Sequence, residues 1–200
     1  YFSNWKKNTT GQIWMKFLDD NNLPQLPTVW LDGNIANAKQ HPVKVNDPSP
    51  CTDQMGISGK WLYRLPHFKL DSSPASGDEV QTEYLVDRSH VSEYIAELSN
   101  IGDEIAERVY ATEIRTIKSD DLWLSGAYGR QTVGFHFTWK KSDSLATFLP
   151  KIEEILGKHD GRPHWGKLFS TSQEELAGRY PKYSSFEDLL KKYDPSKKFR

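Results

Sequence analysis

A single cysteine, Cys51, is all that the chain carries. It rules out a disulfide framework within the chain and leads one to expect a reducing, cytoplasmic setting. An excess of either charge is also lacking, with 26 basic residues against 27 acidic ones and a net charge of −1. That balance gives no electrostatic basis for a nucleic-acid or membrane partner. No apolar run approaches the roughly 18 residues of a bilayer-spanning helix, and no secretory-leader pattern, internal repeat or low-complexity segment is seen. Methionine does not open the chain. Tyr1 stands first, in a segment patterned like ordered structure, as in a piece of a longer polypeptide. What abounds is aromatic: seven Trp, nine Tyr and nine Phe. That number suits large packed surfaces, or a face that binds rings or sugars.

Two hundred residues suffice for one large domain or two small ones. Gly11 to Leu18 has the β-branched and aromatic bias of a strand, with Ile13, Met15 and Phe17 on one side. Pro24, Pro27, Pro42, Pro48 and Pro50 then predict an extended, turn-rich wrap in which Val43 to Val45 is a short strand. Leu62 to Leu70 reads as an edge strand, because Pro66 cannot donate to a ladder. Ser72 to Asp78 is a loop and the best internal boundary. It separates an N-terminal portion, 1–78, from a core of 79–170 and a helical tail of 171–200.

The core is regular. Gln81 to Val86 predicts a strand, and Asp87 can cap a helix with Val91, Tyr94, Ile95, Leu98, Ile101 and Ile105 at helical spacing. Gly102 marks a possible break in it. Val109 to Ile117 is a strand, and Thr132 to Trp139 is the cleanest strand in the chain. Ser142 to Gly157 predicts a second helix, which Pro150 either kinks or begins. Arg162 to Phe169 predicts the last strand. The order strand, helix, strand, strand, helix, strand is that of a ferredoxin-like split βαβ unit: an α+β fold whose antiparallel sheet has both helices on one face, extended by the N-terminal strands. In the tail, Ser172 and Glu175 suit a capping box, and Phe186, Leu189, Leu190 and Tyr193 form an apolar stripe.

Such a sheet leaves one face free of helices. Alternation puts Val133, Phe135, Phe137 and Trp139 under the helices and Gly134, His136 and Thr138 on the free face. Glu113 and Arg115 share a face of the neighbouring strand, and Lys167 or His164 arrives from the last one. Each has a plain explanation: a solvated ion pair, β-propensity, a satisfied histidine. Together they offer an acid, cations and hydrogen-bonding side chains on rigid strands, with Gly134 and Gly166 leaving room for an approaching group. That would suit a polyhydroxylated ligand. Other chemistries find less support. The six histidines have no metal-ligand spacing, so no metal site is expected. Neither a glycine-rich phosphate loop nor a nucleophile elbow is present. Asp120-Asp121 reads as a solvated turn.

Four stretches, Glu113-Ile114-Arg115-Thr116, Asp121-Leu122-Trp123-Leu124-Ser125, His136-Phe137-Thr138-Trp139 and Arg162-Pro163-His164-Trp165-Gly166-Lys167-Leu168-Phe169, together with the ending from Tyr180-Pro181 to Arg200, resemble the FAD-dependent alditol (xylitol or sorbitol) oxidases of the vanillyl-alcohol-oxidase type. These are related to the aldonolactone oxidases. The resemblance implies that the chain is the substrate, or cap, portion, with a flavin domain of the same polypeptide preceding Tyr1, and that these residues alone neither hold FAD tightly nor turn over substrate. It implies that Glu113, Arg115, Thr138 and Lys167 bind the hydroxyls of a polyol. Arg115 and Lys167 would be catalytic, His136 a further member of the site, and His164 a candidate to touch the cofactor. FAD would take the hydride and O2 would re-oxidise it to give hydrogen peroxide. Two alternatives stand beside this. One is the aldonolactone branch, which usually has Ala where Gly166 stands. The other is a ferredoxin-like binding module without a redox role.

Overall fold

The computed structural model describes residues 2–3, 5, 12–20, 28–30, 33–42, 46–72 and 78–199. The chain divides into two units, one of residues 1–11 with 78–200 and one of residues 12–77. Strand β1, Phe2–Ser3, belongs to the first unit.

In the unit of residues 12–77, the described regular structure is slight. Strands β2, Val29–Trp30, and β3, Gly33–Asn34, form an antiparallel pair. Residues 12–18 form no strand, and Ile13, Met15 and Phe17 are exposed. β-propensity without a partner ladder does not make a strand, and this segment is tied by side chains instead. Gln12 Nε2 donates to the His41 carbonyl at 3.0 Å, and Trp14 Nε1 donates to Gln12 Oε1 at 2.9 Å. The edge strand predicted over Leu62 to Leu70 is also replaced. Trp61–Tyr63 is a 3-10 turn, and only Phe68 pairs, in a single bridge to the buried Cys51. The predicted Val43 to Val45 strand lies outside the described residues, as do residues 73–77 of the predicted loop.

In the other unit the alternation read from the sequence becomes a sheet. Its strands are β4, Glu79–Asp87; β5, Val109–Ile117; β6, Thr132–Lys140; and β7, Arg162–Pro163. The order is β1-β5-β6-β4-β7 with every pair antiparallel. The last four strands have the ferredoxin-like arrangement, and the N-terminal extension is Phe2–Ser3 rather than Gly11 to Leu18. Asp87 accepts from the Ser89 amide at 2.8 Å and so caps a 3-10 turn, Arg88–His90, ahead of α1, Val91–Asn100. The helix then breaks at Ile101, and α2, Gly102–Arg108, starts on glycine because a Cβ there would press the Trp5 carbonyl at 3.1 Å. Helix α3, Ser144–Leu156, contains Pro150 rather than starting at it. The tail folds into α4, Gln173–Arg179, with the full Ser172–Glu175 capping box, and α5, Tyr183–Tyr193.

The core lies between the sheet and α1 to α3. Tyr84, Val86, Phe135, Phe137 and Trp139 of the strands meet Tyr94, Leu98, Ile105, Phe148, Ile152 and Leu156 of the helices, all buried. One polar pair is sealed into it: Trp139 Nε1 donates to Thr82 Oγ1 at 2.9 Å, with both residues at 0% exposure. Thr82→Val keeps the shape and removes the acceptor, stranding a buried N–H. We expect a loss of about 1–3 kcal/mol, read as a lower urea midpoint at unchanged m-value.

Candidate functional site

Register settles which side chains meet on the helix-free face. Glu83, His136 and Glu113 stand side by side across β4, β6 and β5, and Leu85, Gly134 and Arg115 form the next row. Two carboxylates in one row need cations. Arg115 supplies one from the adjacent row, with Nη1 donating to Glu83 Oε1 at 3.1 Å and Nη2 donating to Glu113. Its remaining N–H groups have no partner among the described residues. The room over Gly134, which the sequence suggests for a ligand, is taken by this pair: a Cβ there would meet Glu83 Oε1 at 3.1 Å.

The second cation depends on a departure from the predicted strand. Arg162 to Phe169 is not continuous. The His164 amide donates to the Glu83 carbonyl at 2.8 Å, a turn then closes from the Lys167 amide to the His164 carbonyl at 3.1 Å, and the Leu168 amide donates to the Gln81 carbonyl at 3.0 Å. The chain thus leaves β4, makes one turn and rejoins it. Residues within the turn are released from strict alternation. Lys167 Nζ reaches over β4 and donates to Glu83 Oε2 at 2.8 Å and to His136 Nδ1 at 2.6 Å. An ammonium can only donate, so Nδ1 is the acceptor and Nε2 carries the proton that His136 donates to Thr138 Oγ1, 3.1 Å away. At 3.7 Å, His136 Nδ1 lies beyond hydrogen-bond reach of Glu83.

Glu83, Glu113, Arg115, His136, Thr138 and Lys167 therefore form one continuous network. The sequence reading brings five of them to this face and omits its hub. Glu83 side-chain exposure is only 9%, and that of His136 is 6%. Burial pushes the Glu83 carboxyl up, but the hydrogen bond and charge of Lys167 and the charge of Arg115 outweigh it and hold it well down, at about 2. Glu83 could have been found by extending the alternation argument to β4, where Thr82, Tyr84 and Val86 point to the core and Glu83 must point the other way.

His164, the sixth predicted residue, stays outside the network. Its exposed ring turns back on its own loop, with Nδ1 accepting from the Gly166 amide at 3.0 Å. Trp165 steadies the same turn by donating from Nε1 to the Leu124 carbonyl at 2.9 Å and by lying on Tyr180, 5.0 Å between centroids. Asp120, read from the sequence as a solvated turn, is a loop organiser: its carboxylate accepts from the Leu122 amide at 3.1 Å and the Ser125 hydroxyl at 2.6 Å. A concavity of about 540 Å³ lies in the other unit, lined by loop residues including Thr52, Lys60, Arg64 and Asp71. It contains none of the network residues.

The whole network falls inside residues 77–200, which match the family described as D-arabinono-1,4-lactone oxidase. The chain belongs to this family. It is 39% identical over 199 residues, 99% of its length, to an alditol oxidase from Streptomyces sp. (strain IKD472 / FERM P-14339), of which it covers 47%. It is 29% identical over 123 residues, 60% of its length, to the L-gulono-1,4-lactone dehydrogenase of Mycobacterium tuberculosis (strain ATCC 25618 / H37Rv), covering 28% of that protein. An L-gulonolactone oxidase of Scyliorhinus torazame is 24% identical over 159 residues, 70% of the chain and 36% of that oxidase. The chain thus spans half or less of the length of each of these relatives. No helix among the described residues is long and apolar enough to cross a membrane.

In this family member Glu83 ties acid stability to the network. Its carboxyl, at about 2 in the fold against an ordinary 4.5, contributes stability that is fully present above pH 4.5 and lost as pH falls toward 2. Glu83→Gln should cost about 3 kcal/mol at pH 7, because it leaves Lys167 and Arg115 without their shared carboxylate. It should also flatten the stability–pH curve between those values, as measured by urea unfolding at stepped pH.

Proposed function

We propose that this face is the substrate-binding surface of an FAD-dependent oxidase that acts on a terminal hydroxyl of an alditol of the xylitol or sorbitol kind. The observation that carries the reading is the pairing of two cations, Arg115 and Lys167, on one shared carboxylate, with Arg115 keeping further donors unspent on an open face. An alcohol carbon gives up hydride only as its hydroxyl proton leaves, so negative charge grows on that oxygen. Fixed cations aimed there favour the transition state over the ground state. Glu83 holds both cations in place. Glu113 fixes the other side of Arg115 and can accept from a substrate hydroxyl. Thr138, oriented by His136, binds a hydroxyl further along the chain.

FAD, when bound, supplies the hydride acceptor and passes the electrons to O2, giving hydrogen peroxide. The donor set fits the substrate side of that cofactor, since Arg115 and Lys167 can also balance charge on the reduced ring. His164, exposed at the rim of the turn, is the remaining candidate to touch it. On this reading FAD is held chiefly by a flavin domain of the same polypeptide, and residues 1–200 alone bind it weakly and turn nothing over; the support is that the chain matches only 47% of the alditol oxidase it resembles. A cytoplasmic setting belongs to the same reading, and a lone cysteine suits a reducing compartment.

One finding favours a second reading: the matching family is described by an aldonolactone. Assaying the full-length flavoenzyme with xylitol, sorbitol, and gulono- and galactonolactones separates the two. The alditol reading expects kcat/KM at least ten-fold higher for an alditol and is wrong if a lactone is preferred. In the same protein, Arg115→Ala and Lys167→Met should each slow flavin reduction by alditol about 100-fold while shifting Tm by only a few degrees. Stopped-flow reduction near the wild-type rate would remove the role assigned to that residue.

A further inference from the structure

Where the turn leading into α1 meets the turn that follows α3, His90, Glu93 and His159 gather with ligand atoms all within 4.8 Å of one another. We propose that these three residues bind a divalent transition-metal cation of the Zn2+ class, at a site that shares no residue with the network on the sheet. His90 and Glu93 are an i, i+3 pair, so they project from one side of the helix start. His159 comes from 66 residues beyond Glu93. This is why no metal-ligand spacing is visible along the sequence.

The distances are compatible with coordination as well as with ion pairing. His90 Nδ1 and His159 Nε2 each stand 3.4 Å from Glu93 Oε2. Charge-assisted hydrogen bonds would draw these atoms to about 2.7–2.9 Å. Ligands about 2.0–2.1 Å from a tetrahedral Zn2+ are instead about 3.4 Å from each other.

The third ligand is also held in advance. His159 has a left-handed backbone, φ 48° and ψ 42°, and three bonds pin its turn. Tyr94 Oη donates to the Lys158 carbonyl at 2.7 Å, Lys158 Nζ donates to Glu97 at 2.7 Å, and Arg130 Nη1 donates to the His159 carbonyl at 3.1 Å. The imidazoles stack in the structure, 3.8 Å apart and 7° from parallel. Closing on an ion requires them to fan open, and side-chain exposures of 40% and 41% leave room for that. Two imidazoles and a carboxylate suit Zn2+, Ni2+ or Cu2+ rather than the all-oxygen shells of Ca2+ and Mg2+. With three protein ligands the fourth position goes to water. The ion would clamp the start of α1 to the turn that precedes β7.

The test is calorimetric titration of ZnCl2 into the chelator-treated intact protein. One equivalent should bind the wild type, with a rise in Tm. His90→Ala and His159→Asn should each weaken that binding at least ten-fold. Asn tolerates the left-handed backbone, so the second variant keeps the fold. His41→Ala, outside the cluster, should bind as wild type. Co2+ should give the intense visible absorption of a tetrahedral site in the wild type and not in His159→Asn. Absence of one-equivalent binding to the wild type, or undiminished binding in His90→Ala and His159→Asn, overturns the proposal and leaves the cluster an ordinary surface ion pair.

Discussion

A carboxylate on a central strand, shielded from water and gripped by two cations from different parts of the chain, is the constraint on which the helix-free face depends. Desolvating Glu83 alone would cost several kcal/mol, so the fold must bring countercharge to it. Arg115 comes from the strand two positions away across the sheet, and Lys167 comes from the turn interrupting the last strand. Each cation is located because Glu83 is located. The same attraction sets the His136 tautomer, since the ammonium occupies Nδ1, and with it the hydroxyl orientation of Thr138. A set of groups that looks like independent surface residues is one electrostatic unit.

The opposite face supplies the stiffness that such a unit needs. Phe137 and Trp139 stack at 4.8 Å and 7° beneath the helices, and Phe148 meets Trp139 edge-on. Alternate residues of β6 therefore belong to the tightest part of the core, while the intervening ones carry His136 and Thr138. Side chains on rigid strands hold their geometry better than side chains on loops. That the positions of His136 and Thr138 are fixed follows from aromatic packing one residue away on either side.

Periodicity made the middle of the chain legible. The period of two in Thr132 to Trp139 and the helical spacing from Val91 to Ile105 each point to one element, and their order leaves few topologies. The face carrying Glu113, Arg115, His136 and Thr138 follows from parity alone. Three things did not follow. Glu83 sits in a run, Gln81 to Val86, whose propensity is satisfied without asking where its one acid points. The turn from His164 to Lys167 is decided by backbone hydrogen bonds to β4, and local composition cannot distinguish that from a continuous strand. Residues 12–18 and 62–70 have strand-like side chains, but pairing is a property of the partner, and only Phe68 finds one.

Arg162 is buried at 4% exposure, with no carboxylate in ion-pair contact among the described residues and burial lowering its affinity for its proton. Its guanidinium is met by backbone carbonyls: Nε donates to Arg179 at 2.8 Å, and Nη1 to Gly126 and Tyr128 at 3.2 Å each. One rigid fork thus joins the end of α4, the loop after β5 and the strand that leads into the Lys167 turn. Mechanically these three behave as a lever with a single pivot. A displacement at the end of α4 is therefore passed directly to the strand that precedes Lys167.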